Sequence, residues 1–168
     1  MNKHEWLEKK TPRSVDQLRL WPDNPRLNPT EKHLYLSDYV EDLISEDAEK
    51  KHFFKLVISI AEDGFVPADP VVVWKDADNE KYYVAEGNRR LVALKLLRHP
   101  DKAPKSIRSF IRLQSQKISA LDIEKILVNV APTFDEAEWY INQRNSASSL
   151  QRSWSRPQQQ RWISDLYQ

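Results

Sequence analysis

Apolar and polar positions along the 168-residue chain follow two different periods in successive segments. Leu36–Ser45 and Glu49–Asp63 repeat apolar residues at helical spacing, and Gly64 stands where a helix C-cap is expected. Four short runs rich in β-branched or aromatic residues predict strands: Gln17–Trp21, Val71–Lys75, Lys81–Ala85 and Lys125–Ala131. We therefore predict an α+β fold with a small mixed sheet.

Two further helices are predicted in the second half of the chain. Lys105–Lys117 has apolar residues on one side and basic residues on the other, which is typical of a basic amphipathic helix. Thr133–Glu136 matches a capping box, so a helix should begin near Phe134 and run towards Gln143.

The length of the chain suits one domain with a substantial core. Residues 1–14 are polar and broken by Pro12, which indicates a flexible N-terminal arm. Residues 15–150 contain the predicted helices and strands of the domain. Residues 151–168 predict a C-terminal helix, because Pro157 follows a capping residue in what would be the first turn.

In the middle of the chain, a strand over Lys81–Ala85, a turn at Gly87 and a buried helix over Asn88–Arg98 follow one another. Gly87 is one of only two glycines in the protein, whereas average usage is about 7%. We therefore expect a positive φ angle or a close backbone contact at Gly87.

Arg89 and Arg90 lie in the first turn of this helix if Asn88 is its N-cap. A cation there is unfavourable by roughly 0.3–1 kcal/mol at an exposed site, because the helix N-terminus carries the positive end of the macrodipole. A bound phosphate would reverse this effect, since helix amides and guanidinium groups both bind anions. On this interpretation Arg90→Ala leaves the free protein equally stable or slightly more stable. The alternative is that Glu86 or a distant carboxylate neutralises the two arginines.

The charge of the chain is unevenly distributed, although its net value is +1. Residues 31–80 hold 5 Lys/Arg and 13 Asp/Glu, a net charge of −8, whereas residues 81–117 hold 10 and 2, a net charge of +8. The basic segment could bind an anionic ligand or the backbone of DNA without sequence specificity. The alternative is that the acidic and basic segments face each other in the fold.

Composition excludes several classes of site. The chain has no cysteine, which removes disulfides, thiolate chemistry and cysteine-based zinc sites. The four histidines show no metal-ligand spacing. No apolar run approaches the roughly 20 residues that span a bilayer, and the N-terminus lacks the apolar region of a signal peptide. We expect a cytoplasmic protein that does not bind membranes.

The segment Glu86-Gly87-Asn88-Arg89-Arg90, followed by apolar helical residues, resembles the Gly-x-x-Arg box of the ParB/sulfiredoxin superfamily. Two other segments resemble the remaining boxes of ParB-like proteins in shortened or shifted form. The matching residues of the first segment are Asn24, Pro25 and Arg26. Those of the second are Asn142, Arg144 and Asn145, because two alignments of this segment to the box are possible.

The resemblance implies a ParB/sulfiredoxin-like small mixed sheet surrounded by helices, with a nucleoside triphosphate, CTP or ATP, bound together with Mg²⁺. It further implies a set of phosphate-binding residues: Gly87, Asn88, Arg89, Arg90, Arg26, Arg144 and Asn145. Glu86 could hold the Mg²⁺ or act in catalysis by orienting a nucleophile. Its alternative role is an ion pair with Arg89 or Arg90.

Sulfiredoxin activity is excluded, because it needs a thiolate in this box and the chain has none. A nucleotide-binding switch or an NTPase of the CTPase type fits best. There are two alternatives to this function. One is a ParB-like phosphodiesterase or nuclease, and the other is a DNA-binding module without nucleotide. A nuclease usually needs clustered carboxylates, and only Glu86 lies near the box. Nucleotide is the expected partner, with DNA and a second copy of the chain as further candidates.

Overall fold

The computed structural model describes residues 4–21, 36–66 and 69–148. The strands in this part of the chain are β1 (Thr11–Ser14), β2 (Leu18–Leu20), β3 (Val72–Lys75), β4 (Tyr82–Glu86) and β5 (Lys125–Ala131). Its α-helices are α1 (Leu36–Leu43), α2 (Asp47–Asp63), α3 (Asn88–Arg98), α4 (Lys105–Ser115) and α5 (Phe134–Ser148). Short 3-10 helices cover Glu5–Glu8, Val15–Gln17, Pro100–Lys102 and Ala120–Ile123.

The strands form one mixed sheet in the order β1-β5-β3-β4-β2. The β1/β5 and β3/β4 pairs are antiparallel, whereas the β3/β5 and β2/β4 pairs are parallel. The predicted α+β class is therefore confirmed. The β3–β4 hairpin leads the chain directly into Gly87, as its turn residues predicted.

One face of the sheet is covered by α2, α3 and α4, which contact one another. The largest side chains of this core are fully buried: Phe53, Leu18, Leu91, Leu94, Leu96, Ile111 and Ile123. Burial of each such side chain contributes roughly 1.5–3 kcal/mol. The prediction that α3 is buried is confirmed, because its apolar residues face the sheet and both neighbouring helices.

The opposite face of the sheet packs against α5 through a second apolar cluster rich in aromatic rings. The Trp74 ring centroid lies 5.0 Å from that of Phe134 and 5.6 Å from that of Trp21, both in edge-to-face geometry. The capping box at Thr133 is formed, since its Oγ1 accepts the backbone N–H of Glu136 at 3.2 Å. This cluster directs the last turns of α5 towards the end of β4.

The expectation of a flexible arm over residues 1–14 is wrong for the residues described there. Residues 5–8 form a 3-10 helix, and β1 pairs with β5. The physical reason is Asn129, a fully buried residue whose Nδ2 donates to the backbone carbonyls of Trp6, Leu7 and Lys9 at 2.9–3.2 Å. One side chain on the central part of the sheet thus fixes a segment that its own sequence leaves unspecified.

Three other outcomes concern element boundaries. Gly64 ends α2 with φ of 82°, as predicted, and its N–H donates to the Ile60 carbonyl. Helix α5 continues to Ser148 and does not stop near Gln143. The C-terminal helix predicted over 151–168 lies outside the described residues.

Within the described part of the chain, no helix combines the length and the apolar character that a membrane span needs.

Candidate functional site at the Gly87 turn

Gly87 joins the end of β4 to the start of α3 in a left-handed conformation, with φ of 106° and ψ of 18°. Its carbonyl accepts the N–H of Leu91 at 2.9 Å, which closes the first turn of α3. A Cβ at Gly87 would lie 3.1 Å from Nη2 of Arg90 and 3.3 Å from Cγ2 of Val71. Both reasons predicted for this scarce glycine, a positive φ and a close contact, are therefore present.

Asn88 is the first residue of α3 and not its N-cap, so that interpretation is wrong; Gly87 occupies the cap position. The Asn88 side chain is 5% exposed. Its Nδ2 donates to the carbonyl of Val84 at 2.8 Å, and its Oδ1 accepts the backbone N–H of Trp21 at 3.3 Å. The Asn88 side chain thus joins β4 to the chain just after β2. Its oxygen accepts from Trp21 and not from a backbone N–H in the first turn of α3.

Arg90 is half-buried and bound to backbone, which the sequence did not indicate. Its Nη1 donates to the carbonyl of Asp69 at 2.6 Å and its Nη2 to the carbonyl of Pro70 at 3.0 Å. Burial lowers the pKa of its guanidinium, and the nearby carboxylates of Glu86 and Asp69 act in the opposite direction. Arg90 therefore has a structural role in the free protein, and the expectation that its removal is neutral or stabilising does not fit these contacts.

Arg89 lies at the rim of the turn, where its side chain is 44% exposed and pairs with Glu49 of α2. Glu49 is thus the distant carboxylate that the alternative interpretation required. The ion pair joins the acidic and basic segments, as does the 3.5 Å contact between Lys117 and Glu62. Part of the charge asymmetry is thus neutralised inside the fold.

Arg144 of α5 reaches the end of β4 from the other side of the sheet. Its Nη2 lies 3.2 Å from Oδ2 of Asp69, and its Nε lies 3.8 Å from Oε1 of Glu86. Burial alone would lower the pKa of this guanidinium, but the Tyr140 hydroxyl, the Glu86 carboxylate and the other charges raise it overall. We refer to the side chains of Asp69, Glu86, Arg90 and Arg144 as the Gly87 cluster.

The Gly87 cluster contains two cations and two anions from three separate segments. The sequence predicted Glu86, Arg90 and Arg144 as site residues but missed Asp69, which belongs to no recognisable motif and only precedes Pro70. Asn145 is 4% exposed and follows Arg144 on α5. Oδ1 of Asn142 is buried without a hydrogen-bond partner among the described residues. Arg26 lies outside the described residues, as does the rest of the first box.

Two carboxylates at the cluster bear on the expected Mg²⁺. Mg²⁺ is usually held by one or two carboxylates together with phosphate oxygens and water. Glu86 and Asp69 each contact Arg144, so either can serve as the single carboxylate ligand of such a set when phosphates and water complete it. Among the residues that the structure describes, no group of three or more His, Asp or Glu side chains could hold a metal by itself.

Comparisons with protein-family models, with curated proteins and with solved structures find no match. The resemblance to ParB-like proteins therefore stays a prediction that depends on the residues of the boxes themselves.

Proposed function

We propose that the chain is a ParB-like domain that binds the triphosphate of CTP or ATP, with Mg²⁺, at the Gly87 turn. The observation that supports this most directly is the position of Arg144. This residue lies 57 positions after Gly87 in the sequence, yet its guanidinium lies beside Glu86 at the start of the turn. Two segments that resemble separate boxes of one nucleotide site therefore meet.

The residues divide into binding and supporting roles. The free backbone N–H groups in the first turn of α3 bind phosphate oxygens. Arg89, at the exposed rim, and Arg144 supply charge-assisted hydrogen bonds to the same anion. Arg90 supports the turn by holding the carbonyls of Asp69 and Pro70.

Glu86 is the residue that we assign to metal binding or catalysis. Its side chain is 12% exposed and lies at the carboxyl end of β4. When bound there, Mg²⁺ would neutralise charge on the phosphates. The carboxylate can hold that ion or orient a water molecule for hydrolysis. Glu86→Gln should then abolish hydrolysis. The affinity for nucleotide with Mg²⁺ should fall by a smaller factor.

Calorimetric titration with CTP, ATP, GTP and ADP, each with Mg²⁺, tests the proposal. A nucleotide that binds only the folded protein raises its stability by about 2.7 kcal/mol at 100 Kd, which thermal melts can detect. Arg144→Gln should weaken binding by roughly 1.5–3 kcal/mol. Arg112→Gln is the matched control, because it removes an exposed arginine that pairs with Asp101 on a different helix. Equal effects of the two substitutions, or no binding of any nucleotide, would reject the proposal.

A second function, weak binding to the DNA backbone, is supported by the basic start of α4. Lys105, the first residue of α4, and Lys102, which ends the preceding 3-10 helix, are both exposed, and no ion pair joins either of them to another described residue. Phosphate contacts of this kind give binding without sequence specificity that falls steeply between about 50 and 200 mM salt. Fluorescence anisotropy with two unrelated duplexes tests this, and a sequence-selective or salt-independent complex would contradict it.

A further inference from the structure

Asp69 contacts both arginines of the Gly87 cluster, but through different groups. Its backbone carbonyl accepts a hydrogen bond from Nη1 of Arg90 at 2.6 Å. Its carboxylate lies 3.2 Å from Nη2 of Arg144, and the side chain is 62% exposed. The backbone of Asp69 is thus held by the guanidinium of Arg90, whereas its carboxylate lies at the surface and can leave Arg144 without breaking the backbone contact.

A carboxylate on a guanidinium uses the same N–H donors that a phosphate would use. Glu86 also faces Arg144, but its side chain is only 12% exposed and its nearest oxygen lies 3.8 Å from Nε. The Asp69 carboxylate is exposed, so solvent and salt weaken its pair with the half-buried Arg144, and a multiply charged ligand can displace it. Of the two carboxylates, Asp69 is therefore the one that an incoming anion would replace.

We infer that Asp69 is an internal competitor for the anion site: its carboxylate occupies Arg144 in the free protein, is displaced when a polyphosphate binds, and thereby sets the affinity of the site. This inference rests on the proposed function and adds a determinant of affinity that the family boxes do not contain. It concerns the polyphosphate group alone and is independent of the base.

Sodium tripolyphosphate without nucleoside or metal is the probe, with binding measured by calorimetry. Asp69→Asn should bind it about three- to tenfold more tightly than the natural protein, because the competing charge is removed while the backbone carbonyl for Arg90 is kept. Asp78→Asn is the charge-matched control. It changes an exposed aspartate in the β3–β4 turn, at the opposite end of β4 from Gly87, and should leave the affinity unchanged.

A double-mutant cycle separates competition at Arg144 from a general change of surface charge. In an Arg144→Gln background, Asp69→Asn should alter the affinity by less than about twofold, since the group for which Asp69 competes is gone. Circular dichroism melts of all variants establish that each is folded at the temperature of titration.

The outcomes distinguish this inference from the proposed function. If the natural protein binds tripolyphosphate and Asp69→Asn does not bind it more tightly, Asp69 is not a competitor although the phosphate site stands. A gain that persists in the Arg144→Gln background also overturns the inference. If no variant binds tripolyphosphate or any nucleotide, the phosphate site itself is wrong. Tripolyphosphate binding that is detectable only after Asp69→Asn supports both, provided that the natural protein binds a nucleotide.

Discussion

Nη2 of Arg90 lies 3.1 Å from the point where a Cβ on Gly87 would stand. The arginine side chain folds back over the glycine that precedes its own helix, and its two nitrogens hold the carbonyls of Asp69 and Pro70. The turn, the first turn of α3 and the segment before β3 are therefore coupled through one guanidinium. This coupling has consequences for stability that can be measured without any ligand.

Gly87→Ala should destabilise the protein by about 2–4 kcal/mol, through the left-handed backbone and the contacts with Arg90 and Val71. Gly64→Ala is the comparison variant, since Gly64 also has a positive φ, of 82°, but a Cβ there meets nothing within 4 Å. Its ψ of 172° places Gly64 in a backbone region that is almost exclusive to glycine, so alanine there should itself cost about 1–3 kcal/mol. Urea unfolding measures the stability of both variants. A double-mutant cycle of Gly87→Ala with Arg90→Ala isolates the contact between the two residues, and a coupling energy near zero would mean that this contact contributes nothing.

Arg90→Ala should destabilise the free protein by about 2–4 kcal/mol, because two carbonyls lose a charged donor in a partly buried site. The helix dipole alone predicts the opposite sign and at most about 1 kcal/mol. Arg89→Ala is the control in the same turn. Its exposed pair with Glu49 should be worth less than about 1 kcal/mol. Chemical unfolding of the two variants shows whether the lost hydrogen bonds or the helix dipole has the larger effect. An unchanged stability of Arg90→Ala would favour the helix dipole.

Lys95 gives the stability of the protein a pH dependence in the alkaline range. Burial lowers its pKa to about 8, and its Nζ donates to the carbonyl of Val15 at 3.0 Å. The unfolded chain, with a lysine pKa near 10.4, binds more protons between those two values. Stability should therefore rise by about 1–3 kcal/mol as pH increases from about 8 to 10.

Lys95→Met tests this assignment, since it removes the buried ammonium group. The Val15 carbonyl keeps the N–H of Leu18 as a donor, so the loss of Nζ leaves no unpaired acceptor there. The variant should be at least as stable as the natural protein at pH 7, and the difference between the two should shrink towards pH 10. A difference that stays constant over this range would show that Lys95 titrates normally.

The sequence predicts those parts of the site that depend on neighbouring residues. Strand, turn and buried helix around Gly87 follow from local periodicity and from the scarcity of glycine, and all three are present. The partners of Arg89 and Arg90 could not be predicted, because Glu49 and Asp69 are 40 and 21 positions away and lie in no motif. A cation in a first helical turn indicates that some partner is needed, but it does not distinguish a phosphate from a carboxylate or a backbone carbonyl.

The N-terminal segment shows more clearly that contacts between distant residues cannot be predicted from the local sequence. Residues 4–9 lack a strong pattern of their own, and their position depends on a side chain about 120 positions later, Asn129. An isolated Asn within a predicted strand gives no signal that three carbonyls converge on its amide. Two further contacts, from His4 and from Trp6 to Oε2 of Glu136, also cross this distance.

Asn129→Ala should therefore release the N-terminal segment. The substitution removes a buried donor from three backbone carbonyls, which should cost about 2–4 kcal/mol of stability. It should also increase amide exchange of residues 4–14 more than that of α3, because the main core does not depend on this contact. Asn142→Ala is the control: Oδ1 of Asn142 is buried without a partner in the described part of the chain, and alanine favours the helix. Hydrogen-exchange mass spectrometry measures both variants, and unchanged exchange at residues 4–14 in Asn129→Ala would mean that β1 pairing alone holds the segment.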